Sequence, residues 1–283
     1  MNAPLAWLNG VFLPFHEAAL PLHDAGFVSG ATVVDNARTY SRKLFRWADH
    51  LARFRRNCET CFVPLEAMDH EITEAAETLV QANAARVEVQ VVTFATPGPL
   101  DVYTGEGNGP PTLGMVTYPV PVERFRPFFT EGVVLWPVAL GDGGDSVLSP
   151  TVKHRSRMKW QMADCIAKRD SGCSYALAVG EENGLLTETS IANVLAVVGS
   201  AVISPRRERI LDGISLRVVR ELCAKLGIEF REGRIPAAPS EMIICGTGFG
   251  IAGVKRIGRQ ELTWPGPVFK RLHAAWRELT GGE

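Results

Sequence analysis

The sequence predicts an α+β protein of two units, with mixed sheets and flanking helices. Three observations carry this reading. The chain has 283 residues, and at roughly 150 residues per domain that length fits two domains or one large one. Short β-branched runs interleave with amphipathic segments without the regular alternation of a doubly wound sheet. Between the halves, residues 121–131 hold prolines and no hydrophobic period, which reads as a tether joining an N-terminal unit, 1–120, to a C-terminal unit, 132–283.

The elements follow in order. Asn9-Gly10 between WL and VFL is a strong hairpin signal. ATVVDNARTY, 31–40, suits a strand, with a turn at 41–43 and a short returning strand at 44–46. Leu51 and Phe54 mark the apolar side of a helix over 47–58. Met68, Ile72, Ala76, Leu79 and Val80 mark a second over 66–82. Strands are predicted over 87–94 and 113–120, separated by a Gly/Pro-rich loop, 97–111. The second half reads as strand 132–138, a Gly/Asp-rich loop at 141–145 and helix 156–168. Strands 176–179, 185–188, 194–198 and 201–204 follow. Asp212-Gly213 opens a helix over 214–226 that Gly227 ends. Strands 229–234 and 242–245 and a closing helix, 268–279, complete the chain.

Composition excludes several functions. Lys+Arg is 30 and Asp+Glu is 31, a net charge of -1. That balance gives no whole-chain field for gripping nucleic acid or an anionic membrane. The most apolar stretch, 194–203, is interrupted by Gly199 and Ser200 and falls far short of the ~20 residues of a spanning helix. The N-terminal MNAPLAWLNG has no basic region ahead of an apolar run, so no secretory leader is expected. Six cysteines make no disulfide framework in a chain of this length. Cys58 and Cys61 form a lone C-x-x-C, read as two thiols one turn apart on a helix rather than a zinc site. No metal is expected, and the location is expected to be cytoplasmic.

Gly248, Gly250 and Gly253 spell G-x-G-x-x-G after an apparent strand, yet no helical pattern follows. They read as a glycine-rich turn between strands, able to offer backbone N–H groups to an anion. The run SPTVKHRSR, 149–157, sits just ahead of a helix. By composition alone it reads first as a solvated basic turn, then as a nucleic-acid contact, then as a reactive lysine with His154, Arg155 and Arg157 lowering its pKa.

The remaining motifs reverse that order. GLLTETSIAN, 184–193, LDGIS, 211–215, and CGTG, 245–248, follow VKH in sequence. Upstream, HDAGFVSGATVVDNARTYSRKLFRWADHLARF, 23–54, ends in H-x-x-R. The set resembles the fold-type IV, or class IV, pyridoxal-phosphate family across nearly the whole chain. That family includes branched-chain aminotransferases, D-amino acid aminotransferases and aminodeoxychorismate lyase. The resemblance implies a two-domain D-amino acid aminotransferase-like fold, pyridoxal 5'-phosphate held between the domains with 132–283 as its binding domain, and a homodimer.

The resemblance also implies roles. Lys153 matches the lysine that joins the cofactor covalently and then shuttles a proton. Glu188, supported by Asn193, matches the carboxylate facing the pyridine nitrogen. Arg53 matches a phosphate-binding arginine. Gly213, Ile214 and Ser215 match a helix N-terminus on the same phosphate, and Gly246 with Thr247 another contact to it. Leu211 matches an apolar residue against the cofactor ring. The family strand that often reads T-R-G is here Thr93-Phe94-Ala95, so one substrate arginine is missing. Arg38, Arg155 and Arg157 are the candidates for a substrate carboxylate. The implied function is transamination between an amino acid, branched-chain-like or D, and a 2-oxo acid. One alternative is a lyase releasing 4-aminobenzoate and pyruvate; another is a non-catalytic basic-patch binding protein.

Overall fold

In a computed structural model, the described residues are 3–84, 87–105, 109–140, 147–173, 175–180, 184–236 and 239–282. The loop expected at 141–145 lies outside them. The chain divides into two compact units, Met1–Val120 with Val152–Ser156, and Pro121–Thr151 with Arg157–Glu283.

The first unit opens with the hairpin of β1 (Leu5–Leu8) and β2 (Val11–Pro14). Asn9 and Gly10 both have positive φ, the turn geometry that matches strand twist. Then come α1 (Ala25–Val28), β3 (Val33–Tyr40), β4 (Lys43–Leu44), α2 (Trp47–Thr60) and α3 (Asp69–Asn83). Next are β5 (Val89–Thr96), α4 (Asp101–Thr104) and β6 (Thr112–Pro119). The strands form one sheet in the order β2-β1-β6-β5-β3-β4. Phe54 from α2 and Ile72 and Leu79 from α3 bury against Val91 and Met115 of the sheet, forming this unit's core.

A buried carboxylate staples the loops at one end of this sheet. Asp24 caps α1 by accepting from Gly26 N–H at 2.7 Å. It also accepts the hydroxyls of Thr96 and Thr112, each at 3.0 Å.

The second unit begins with α5 (Val122–Thr130) and β7 (Val133–Leu140), then α6 (Met158–Ser171) and β8 (Ala176–Gly180). It continues through β9 (Leu186–Thr189), β10 (Asn193–Val198), β11 (Ala201–Ser204) and α7 (Ile214–Lys225). It ends with β12 (Phe230–Glu232), β13 (Glu241–Gly246), β14 (Gly250–Ile257), β15 (Gln260–Glu261) and α8 (Pro267–Thr280). Strands β10-β13-β14-β7-β8-β9 run side by side, and a β9–β10 pairing, Glu188 opposite Asn193, closes them into a ring. Leu135, Leu177, Val194, Ile244 and Val254 belong to the core of this unit.

Two expectations need correction. The segment 121–131 is not an open tether. Most of it is α5, inside the second unit, because Phe125 and Phe128, three residues apart, are both buried and pack on Phe249. Pro127 removes one N–H from the helix ladder, and the burial outweighs that loss. The glycine run at 248–253 is only partly a turn. Gly250 starts β14, an eight-residue strand paired with β13 and β7. A nucleotide-binding helix is therefore absent at that place.

Replacing Asp24 by alanine strands two buried hydroxyls and a backbone N–H. An expected loss of about 3 kcal/mol follows from unsatisfied buried donors, read as a lowered urea midpoint, with Asp24→Asn losing less.

Candidate active site

Residue 153 lies in an extended segment, not at a strand-to-helix turn. The Lys153 carbonyl accepts from Val34 N–H at 3.1 Å, and Arg155 N–H donates to the Thr32 carbonyl at 2.9 Å. Between them His154 pairs with Val33 in antiparallel register. The segment is thus an added strand fragment along the start of β3. It is fastened further by the Ser156 hydroxyl, which donates to the Gly30 carbonyl at 2.6 Å. Lys153 is half-buried. The His154 ring turns to accept from Ser156 N–H at 3.1 Å, and the positive charge of Lys153 helps to hold the His50 imidazole below its ordinary value.

Beneath this segment sits a charged cluster that the sequence reading did not assemble. Asp35 of β3 is almost fully buried and meets two residues of α2. Arg53 donates to it through Nε at 2.7 Å and Nη2 at 2.9 Å. His50 Nδ1 lies 2.7 Å from its Oδ1. Burial opposes ionisation of Asp35, but Arg53 and then His50 outweigh it and hold the carboxyl well below the usual range. Burial holds the His50 imidazole below its ordinary value, against the pull of Asp35. The available signal was a carboxylate inside an apolar strand, together with a helix whose His50 and Arg53 lie three residues apart on one face.

Of the candidate substrate arginines, Arg38 is buried. Its Nε donates to the Thr39 carbonyl at 3.1 Å, and its guanidinium lies 3.9 Å over the Tyr40 ring. Arg155 is exposed and lines a cavity of the first unit. Arg157 belongs to the second unit, where it donates to the Ser190 carbonyl and sits over Trp160. The basic run is therefore woven into two folded units rather than presented as one solvated patch.

In the second unit, Glu188, Asn193, Leu211 and Gly213 come together. Asn193 Nδ2 donates to the Leu211 carbonyl at 2.9 Å and lies 3.5 Å from Glu188 Oε2. That oxygen accepts Leu211 N–H at 3.2 Å. A Cβ at Gly213 would fall 2.0 Å from Asn193 Oδ1, so only glycine fits there. Gly213 is the N-cap of α7 and brings no side chain of its own to cap it. The buried Ile214 and Ser215 begin the helix, whose first N–H groups have no partner within the helix itself. The turn after β13 holds Gly246 and Thr247, and a Cβ at Gly246 would meet the Ile191 carbonyl at 2.7 Å.

A model of the family described as amino-transferase class IV matches residues 32–257. The chain belongs to the class IV aminotransferase family. Among relatives of this aminotransferase, a protein of Rickettsia bellii named probable branched-chain-amino-acid aminotransferase is 22% identical over 232 residues, 81% of this chain and 77% of that one. A D-alanine aminotransferase of Staphylococcus epidermidis is 22% identical over 266 residues, covering 89% and 88%. The branched-chain aminotransferase of Escherichia coli superposes with a TM-score of 0.89 at 19% identity, covering 99% of this chain and 96% of that one. That of Thermobaculum terrenum, in its PLP form, superposes with a TM-score of 0.86 at 25% identity, covering 100% and 95%. The α+β fold expected from the sequence is thus fold type IV. The residues present suit that cofactor: a buried helix end that starts at a glycine for a phosphate, and a carboxylate beside an amide and held by a backbone N–H for a ring nitrogen.

Gly213→Ala forces apart an amide that is anchored on both sides, and overpacking of this kind costs about 1–3 kcal/mol. Thermal unfolding should register that loss. The Asp35 cluster sets an acid limit. A lowered His50 pKa means that the unfolded chain takes up the proton more readily, so stability falls as pH drops below the ordinary histidine value of 6.5. Asp35 adds to the loss as pH falls below the ordinary carboxylate value of 3.8. Urea midpoints measured from pH 7.5 to 5 should decline in the wild type and decline less in His50→Gln.

Proposed function

We propose that this chain is a transaminase that moves an amino group between an amino acid and a 2-oxo acid with pyridoxal 5'-phosphate. The observation that carries the reading is the placement of Lys153, a half-buried amine on a backbone strip hydrogen-bonded to β3. When bound, pyridoxal 5'-phosphate supplies an aldehyde for an amine and a ring that spreads charge developing at the substrate Cα.

Lys153 would provide the amine that anchors the cofactor and would move a proton at the substrate Cα as a general acid–base. The main-chain bonds at 153 and 155 fix the start of its side chain, so little ordering remains when the reaction begins. Glu188, with its oxygen on Leu211 N–H and beside Asn193, would face the ring nitrogen and favour a proton there by opposite charge. Ile214 and Ser215 at the start of α7, the Gly246–Thr247 turn and Arg53 are the candidates for the phosphate. Asp35 holds the Arg53 guanidinium by two nitrogens, so its plane is set before any ligand arrives. Leu211 offers an apolar contact to the ring. Named relatives act on branched-chain amino acids and on D-alanine, so both classes are candidate donors. The reading includes a cytoplasmic homodimer.

The test is spectroscopic. Wild-type protein mixed with pyridoxal 5'-phosphate should gain an absorbance band near the visible edge, and an accepted L- or D-amino acid should bleach it. Lys153→Ala should show neither change. A wild-type protein that stays colourless overturns the reading.

A further inference from the structure

Two consecutive residues of β3 hold two titratable side chains. The Val34 N–H fixes the main chain at Lys153, donating to its carbonyl at 3.1 Å. The Asp35 carboxylate fixes His50, whose Nδ1 lies 2.7 Å from Oδ1. His50 is buried on α2, and Lys153 is half-buried on the strip. With Nδ1 turned to a carboxylate, the imidazole has Nε2 to take up a second proton. The proposed chemistry uses the amine at 153 and gives His50 no task.

Charged groups act on His50 from three elements. Burial disfavours its imidazolium, Asp35 of β3 favours it, and Arg53 on its own helix and Lys153 on the strip disfavour it. Asp35 and Arg53 are locked together through two guanidinium nitrogens. Both stay ionised at neutral pH, because the carboxyl is held well below its usual range and an arginine does not deprotonate. Their charges are a constant background. Of the three groups, Lys153 is the one whose charge changes when its amine reacts. Coupling between two protonation sites is reciprocal. Whatever a charged Lys153 does to His50, a charged His50 does to the amine.

We propose that His50 is a positioning residue for the amine at 153: a charged Lys153 keeps His50 neutral, and a protonated His50 keeps the amine neutral. A neutral amine is the form that attacks an aldehyde or removes a proton, and a neighbouring cation favours it. When the amine gives up its charge, His50 takes up a proton more readily. That proton then opposes recharging of the amine. Asp35 makes the exchange possible in a buried place, because it stands opposite the imidazolium as a permanent counter-charge. The proposal rests on the transaminase reading only for why the amine must be neutral.

The test reads the full chain without added cofactor. Proton NMR follows the ring signals of the six histidines against pH, and the signals lost in His50→Gln belong to His50. In Lys153→Met the proton affinity of His50 should rise by roughly three- to tenfold, the effect of deleting one partly screened charge nearby. The reciprocal arm leaves residue 153 intact. Trace acetylation with acetic anhydride, read by peptide mass, gives the reactivity of Lys153 relative to the exposed Lys159 and Lys270. In His50→Gln that ratio should fall about threefold or more at acid pH, where wild-type His50 carries its proton, and should match the wild type at alkaline pH. A merely structural role would move the ratio alike at every pH. An unchanged His50 titration in Lys153→Met overturns the proposal. So does a ratio in His50→Gln that equals the wild type throughout or differs from it by the same factor at every pH. Should Lys153→Met fail to fold, the acetylation arm decides alone. Mixing with pyridoxal 5'-phosphate tests the underlying reading separately: if no absorbance band forms while both arms give the expected result, the transaminase reading falls and the coupled pair stands.

Discussion

A buried carboxylate gripped from two sides underlies the first unit. Asp35 stands in β3 among apolar neighbours, where an isolated charge would be expelled or neutralised. It remains ionised because α2 presents Arg53 and His50 to it within hydrogen-bond distance. The contact fixes the rotation and height of α2 on the sheet. β3 in turn receives the Lys153 strip along its first residues. One ionic cluster thus sets the helix, the helix sets the sheet face, and the sheet edge sets the lysine. Arg53 also shows why a motif spacing alone is ambiguous. The same guanidinium serves as the counterion of Asp35 and as a candidate for an outside anion.

The second unit solves its problem with backbone instead of charge. Its chemistry-bearing groups hang on Asn193, which sits at the seam of the strand ring and reaches both Leu211 and Glu188. Main chain approaches this amide so closely at Gly213 that no side chain fits. The glycine that this close approach requires brings no side chain to cap the start of α7, whose first N–H groups are the proposed seat of an anion. A buried glutamate at the other end of the same core works differently: Glu241 accepts from Val268 and Phe269 N–H at 3.1 and 3.0 Å and so caps α8. One helix end is filled by the protein and the other is the proposed seat of an anion.

Local periodicity made most strands and helices legible. The hairpin at Asn9-Gly10, α2, α3 and α7 all carry their signals within a few residues. Two features escaped for physical reasons. Helix α5 carries proline, which reads as a break, and only tertiary burial of Phe125 and Phe128 makes it helical. The pairing of residue 154 with residue 33 leaves no trace in either local pattern, because it joins segments more than a hundred residues apart. The site divided likewise. Lys153, Glu188 and Gly213 were visible through motifs, whereas Asp35 and His50 gain their meaning only when a strand and a helix meet. The cavity beside Arg155 is assembled from five separate stretches of chain.

The strip at residues 152–156 also governs the order in which the protein can be completed. The chain leaves the first unit after Val120, passes through 31 residues of the second, Pro121–Thr151, and then returns for Val152–Ser156. During synthesis, the edge of β3 therefore waits, unpaired, until residue 156 has emerged. A fragment ending at Val120 would hold every named strand of its sheet and still lack the piece that carries the amine. The lysine proposed to react arrives last, on a unit whose named strands have all been made.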